Sequence, residues 1–218
     1  MMSFQLKLTN EQYLLYLEAF MKKLEKEKDY ITQLDSVTGD GDHWVNMDMG
    51  FRKLIDQKSD LEAVTFGEMF KKIGMTIMST VGGSSGVLYG SGYIRAAQTV
   101  GDLQELDAAK LADMLQAFLN AIMERGKAKP GDKTMIDTLH GGVESMRQKL
   151  AENAGDAEVL RALKSGALAG MESTKEMEAA KGRAYYQTNK GVGNLDPGAV
   201  TMYYQIEALV DVLMSDQR

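Results

Sequence analysis

Leu34-Asp35-Ser36-Val37-Thr38-Gly39-Asp40-Gly41-Asp42-His43 separates two stretches whose apolar residues recur at helical spacing. Before it, Tyr13, Leu14, Leu17, Phe20, Met21 and Leu24 form one face, and either this helix or a short successor through Tyr30, Ile31 and Leu34 delivers the chain to Asp35. After it come Met47, Phe51, Leu54 and Ile55, so Asp42-His43 opens the next helix. The break holds three carboxylates within eight residues, around Gly39 and Gly41. Carboxylates this close repel one another unless a cation neutralises them, and hard cations such as Mg2+ take oxygen ligands. The glycines permit a turn tight enough to aim the carboxylates at one ion. A solvated polar turn that caps the following helix uses the same residue types, so both readings stand at this stage.

The rest of the chain repeats this alternation of apolar helix and glycine-bearing loop. Asn10 is read as the cap of the first helix. A further helix is predicted over 66–78 through Met69, Phe70, Ile73 and Ile77, and another over 108–125 through Leu111, Met114, Leu115, Phe118 and Ile122. Asp132 is read as the cap of a helix carrying Met135, Ile136, Leu139, Val143, Met146 and Leu150. An alanine-rich helix follows over about 157–180, then a polar, glycine-spaced loop to Asn194. Asp196 as cap and Pro197 at the first position introduce the last helix, with Met202, Tyr203, Ile206, Leu209, Val210 and Leu213. With two prolines and no convincing strand, the expected fold is all-α: eight antiparallel helices in one up-and-down barrel or bundle, a single domain over residues 1–218.

Between the helices, Gly82-Gly83-Ser84-Ser85-Gly86-Val87-Leu88-Tyr89-Gly90-Ser91-Gly92 packs five glycines and three serines into eleven residues. It is read as a turn exposing backbone N–H groups where anions bind, continued by a helix through Tyr93-Ile94-Arg95-Ala96-Ala97, against the alternative of a flexible linker, to which Val87, Leu88 and Tyr89 are poorly suited. The segment Gly126-Lys127-Ala128-Lys129-Pro130-Gly131-Asp132-Lys133-Thr134 nearly spells a P-loop, but Asp132 intrudes and the segment leaves a helix rather than a strand. In an up-and-down arrangement alternate loops meet at one end. There an acidic turn, a Gly/Ser turn and Arg183 would supply what phosphoryl transfer requires. Taken singly, Arg183 also suits a surface ion pair, His43 a hydrogen bond within its turn, and His140 packing or solvent.

Composition narrows the function classes. In 218 residues there are 31 acidic and 25 basic side chains, a formal charge of -6, and no basic run interleaved with aromatics, which excludes a nucleic-acid surface. The start, Met1-Met2-Ser3-Phe4-Gln5-Leu6-Lys7, lacks an apolar signal core, and no apolar run approaches the ~20 residues of a membrane span. The absence of cysteine excludes a thiol nucleophile and suits a reducing cytoplasm. Sixteen methionines, among them Met69, Met75, Met78, Met114 and Met123, are read as core filling.

Four motifs in order resemble the nucleotide-binding L subunits of dihydroxyacetone kinases over nearly the whole chain. They are Gly39-Asp40-Gly41-Asp42-His43 with Asn46-Met47, Gly82-Gly83-Ser84-Ser85-Gly86 with Leu88-Tyr89-Gly90, Lys129-Pro130-Gly131-Asp132-Lys133-Thr134-Met135-Ile136-Asp137, and Gly182-Arg183-Ala184 with Asp196-Pro197-Gly198-Ala199. The resemblance implies an eight-helix barrel with the nucleotide, ADP or ATP, at one rim. Asp35, Asp40 and Asp42 match the aspartates that hold two Mg2+ ions in the family. His43, Asn46, Gly83, Ser84, Ser85 and Leu88 match positions around the phosphates and nucleoside, and Gly126, Thr134 and Met135 the segment beside the nucleoside. Arg183 matches the arginine near the phosphates, which with Asp40 and Asp42 makes up the catalytic set, and Asp196 begins the stretch that closes the site.

The same resemblance implies the reaction. A separate L subunit keeps its nucleotide, receives a phosphoryl group from the phosphocarrier subunit M, and passes it to dihydroxyacetone held on subunit K. Alternatives are an ATP-exchanging L subunit serving another short sugar, or a nucleotide-sensing adaptor of a transcription regulator. Trp44, Val87, Asn194 and the loop Gln187-Thr188-Asn189-Lys190 depart from the family pattern and bear on substrate and partner.

Overall fold

The computed structural model describes residues 4–215, so Met1, Met2 and Ser3 of the start read above lie outside the described residues. Along them run β1 (Leu8–Thr9), α1 (Asn10–Lys26), α2 (Lys28–Thr38), α3 (His43–Asp56), α4 (Lys58–Glu62), α5 (Phe66–Thr80), α6 (Gly83–Val100), β2 (Glu105–Leu106), α7 (Ala108–Gly126), α8 (Met135–Ala151), α9 (Asp156–Ser173) and α10 (Pro197–Ser215). Eight of these helices are long and match the expected eight. Of the other two, α2, of 11 residues, is the short successor read through Tyr30, Ile31 and Leu34, and α4, of 5, is an addition. The long helices pack in chain order, α1 on α3, α3 on α5, then each of α5 to α10 on the next, and α10 returns to α1. Short connections between consecutive packed helices make neighbours antiparallel and the ring an up-and-down barrel.

The ring closes over one hydrophobic core. Edge-on ring contacts run through it from Phe66 and Phe70 to Tyr13, and from Tyr93 to Phe118 and on to Tyr89. Such geometry adds about 0.5–1.5 kcal/mol per pair beyond burial. Met47, Met69, Met114, Met146 and Met202 fill the core, whereas Met75 and Met78 stand 60% and 43% exposed on α5, contrary to their reading as core filling. Helical spacing locates a face but not which of its edges a neighbour covers.

Local chemistry moves four boundaries. Thr9, not Asn10, caps α1: its hydroxyl accepts the Gln12 N–H (3.3 Å) and its own N–H donates to the Gln12 side chain (3.0 Å), a reciprocal capping box. Thr134, not Asp132, caps α8, because Asp137 accepts the Thr134 N–H (2.8 Å) while Asp132 closes the preceding turn on the Lys129 N–H (3.0 Å). The alanine-rich helix α9 stops at Ser173 rather than near Ala180, since the Thr174 carbonyl is taken by the Lys133 ammonium. The Gly/Ser stretch is no open turn: α6 starts at Gly83 and runs through it. Its glycines serve close packing, and a Cβ at Gly90 would overlap Met78 of α5 while one at Gly92 would sit 2.7 Å from the Phe118 ring. One strand pairing also exists, Leu8 with Leu106 and Thr9 with Glu105, too short to leave a periodic signal.

Candidate functional site

Four connections open into one cavity of about 420 Å3: α2–α3, α5–α6, α7–α8 and α9–α10. Each of the residues named from the sequence as nucleotide, metal or catalytic candidates lies on its wall.

The acidic wall is built at the end of α2. Asp35 is buried on its last turn and accepts the His43 N–H at 3.0 Å, which ties the turn to the start of α3. A Cβ at position 39 would overlap the Asp35 carboxylate, and Gly41 has φ +78°, so the two glycines are needed for different reasons, close approach and left-handed backbone. Asp35, Asp40 and Asp42 each place one carboxylate oxygen within 4.8 Å of the other two. Three hard anionic oxygens at this separation, one buried and two facing the cavity, fit a divalent cation such as Mg2+. The Arg183 guanidinium reaches across from the α9–α10 connection and pairs with Asp40.

His43 Nε2 lies 2.9 Å from the Thr201 hydroxyl, which itself donates to the Gly198 carbonyl (3.2 Å). The imidazole therefore donates through Nε2–H. Burial pulls its pKa down, partly opposed by Asp35 and Asp42, and keeps the ring neutral at pH 7.

Beside the acidic wall, α6 begins at Gly82 without any side-chain cap on its first amides, whereas at the start of α3 the His43 N–H goes to Asp35 and the Asn46 N–H to the Asp42 carbonyl. The other two helices starting here are capped, α8 by Thr134 and Asp137 and α10 by Asp196, whose Oδ2 accepts the Ala199 N–H at 2.7 Å. Free amides and the positive end of the helix dipole thus face the cavity at α6, where they suit an anion. The same cavity is lined by apolar side chains, Leu88, Ile122, Met135 and Ile136, with Gly126 and Ala128 among them.

Asp196 closes the cavity. Enclosure by protein pushes its carboxyl up to about 7, opposed by the Ala199 N–H and the Lys133 charge and aided by Asp137 and Asp35. Lys133, on the same wall, is 1% exposed and donates to the Asn194 carbonyl at 2.6 Å as well as to Thr174.

Sequence reading missed Lys133 as a distinct member of this wall, because it lay inside a motif set aside as a failed P-loop. It missed Thr201 because that residue sits within an apolar helical pattern and leaves no signal. Of the departures, Trp44 lies off the cavity wall, its indole N–H donating to the Leu24 carbonyl (2.8 Å) under the Lys28 ammonium. Val87 does line the cavity.

Residues 37–211 match the DAK2 domain family. The chain is 39% identical over 183 residues to the ADP-binding subunit DhaL of the PEP-dependent dihydroxyacetone kinase of Escherichia coli, covering 84% of this chain and 87% of that one. It is 35% identical over 209 residues to the ADP-binding subunit DhaL of the PTS-dependent dihydroxyacetone kinase of Lactococcus lactis, covering 94% and 99%. The dihydroxyacetone kinase of C. freundii, solved in complex with AMP-PNP and Mg2+, superposes with a TM-score of 0.69 at 26% identity over 90% of this chain, which spans 33% of that longer one. Among the described residues no helix is long and apolar enough to cross a membrane. The chain belongs to the DAK2-domain family of dihydroxyacetone kinases.

Proposed function

We propose that this chain is the nucleotide-holding subunit of a cytoplasmic dihydroxyacetone kinase, one domain over residues 1–218. In this reading it keeps ADP, takes a phosphoryl group onto it from a phosphocarrier subunit M, and passes that group from ATP to dihydroxyacetone bound on subunit K. The observation that carries the reading is the convergence on one cavity of three carboxylates, an arginine, the uncapped start of α6 and a set of apolar side chains. That is a site for a polyphosphate and a nucleobase.

Asp35, Asp40 and Asp42 would hold two Mg2+ ions, which when bound neutralise charge between the β- and γ-phosphates. The first amides of α6, at Gly83, Ser84 and Ser85, donate to phosphate oxygens, and the side chains of His43 and Asn46 line the same cavity from the start of α3. Leu88, Gly126 and Met135 enclose the base, with Thr134 beside it. Arg183 leaves Asp40 for the transferred group as charge builds on it, and Asp196 holds the start of α10 in place. Little covalent chemistry falls to the chain: it positions and neutralises.

Reconstitution tests this. The chain is combined with K, M, the general phosphotransferase proteins, phosphoenolpyruvate and dihydroxyacetone, with no added nucleotide, and dihydroxyacetone phosphate is followed. Product should form only when all components are present, and Asp42→Ala should stop it while circular dichroism stays helical. Product formation that continues without this chain, or with Asp42→Ala at the wild-type rate, overturns the assignment.

A further inference from the structure

The connection between α9 and α10 carries Arg183 to the acidic wall, yet it has little core of its own. Ala179, Ala184 and Gly191 are buried in it, while Arg183, Tyr185 and Tyr186 are exposed, Tyr186 to 86%. Away from the neck, the Gln187 side chain donates to the Val37 carbonyl of α2 and Arg183 pairs with Asp40; most of the remaining order comes from the neck. Gly193 N–H donates to the Lys175 carbonyl (2.8 Å), Ala179 N–H to the Lys190 carbonyl (2.9 Å), and Ala180 N–H to the Asp132 carbonyl (3.2 Å). Between these strands of the neck sits the ammonium of Lys133, donating to the carbonyl of Thr174 at the start of the loop and to that of Asn194 near its end. The Lys133 stem packs on Gly191, where a Cβ would come within 3.1 Å of its Cε. Lys133 itself has φ +60°, a left-handed backbone that a non-glycine residue keeps only when its surroundings demand it.

We infer that Lys133 is a positioning residue that clasps both ends of the 175–193 loop and so sets where Arg183 stands over the acidic wall. Burying an ammonium costs several kcal/mol unless its protons are taken, so the carbonyl contacts are the condition for its being there. Asp196, Asp137 and Glu176 provide the compensating negative field. A compact charge with three rotatable donors can serve two carbonyls from separate segments in a closed space, where the planar fork of arginine would not fit. The clasp also reaches the cap of α10, because the Thr174 hydroxyl accepts the Asp196 N–H at 3.1 Å. With both ends held by one side chain, the loop should open as one unit.

The catalytic part of this inference rests on the phosphoryl-transfer reading of Arg183, and the test separates the two. In Lys133→Met, which keeps the stem and removes the donors, amide exchange over 175–193 should accelerate about tenfold or more while α5, α6 and α8 exchange as before. Trypsin should then cut after Lys181 and Arg183 faster than in the wild type. Turnover in the reconstituted system should fall about 10- to 100-fold, as for other displaced catalytic groups. The same change made in Arg183→Ala should cost little further, since both act through one guanidinium. Unchanged exchange over 175–193, or losses that multiply in the double variant, overturns the clasp. Where Lys133→Met does not fold, the wild type decides: Ala179, Ala180 and Gly193 amides should share one opening below that of α8, and independent openings overturn it. A wild type without transfer activity would undo the phosphoryl-transfer reading while leaving the exchange and cleavage results to judge the clasp.

Discussion

Asp196 and Lys133 stand on the same wall and are moved in opposite senses by the same cause. Enclosure raises the carboxyl to about 7 and lowers the ammonium, because both charged forms lose water. For Asp196 this has a stability consequence. The folded chain binds the proton more tightly than the unfolded one, whose carboxyl titrates near 4, so stability falls as pH rises between about 4 and about 7 and is level above. His43 acts the other way, since its lowered pKa makes stability rise with pH up to the unfolded value near 6.5. The difference between wild type and Asp196→Asn isolates the carboxyl: in nucleotide-free, metal-free protein the wild-type melting temperature should decline relative to the variant from pH 5 to pH 7.5. Parallel curves would mean that Asp196 is ionised throughout. At this scale the meeting of the three carboxylates was legible, because two glycines within the acidic turn let it fold back on itself. Lys133 and Thr201 were not, because their roles depend on carbonyls and hydroxyls distant in the chain.

At the scale of elements, glycine was the residue most easily misread. The Gly/Ser stretch reads as a loop by composition, yet it is the first half of α6, because glycine there buys contact between helices. The α8–α9 pair uses the same device: a Cβ at Gly166 would overlap the Gly141 carbonyl and the Ser145 hydroxyl. Two effects oppose each other in Gly166→Ala. Helix propensity favours alanine by about 1 kcal/mol, whereas forcing the helices apart costs about 1–3 kcal/mol. Packing should win, since one obstructing atom is backbone. Thermal unfolding should show Gly166→Ala less stable by about 1–2 kcal/mol, and a variant more stable than wild type would show that the helices yield without cost. Helix existence was legible from the spacing of apolar residues. The ends were less so, because Thr9 and Thr134 work with partners three residues on, and α9 is stopped by a tertiary contact rather than by its own sequence.

For the molecule as a whole, the ring of eight long helices explains why the site lies at one rim. Consecutive antiparallel helices bring every second connection to the same end, so α3, α6, α8 and α10 all start beside one cavity. The sequence showed the loops as candidates, and the closed ring is what joins them. The opposite rim has the β1–β2 pair and the Leu6 N–H donating to Asp156 at 2.7 Å, which fasten the chain's start across the barrel end. Neither was legible, being single long-range contacts. The central claim, a retained Mg-ADP, is tested on the protein as purified, without added nucleotide: it is denatured, and released nucleotide and metal are identified by mass spectrometry and counted. The account predicts about one ADP and about two Mg2+ per chain. A chain that carries no nucleotide and takes up none in excess Mg2+ would contradict it.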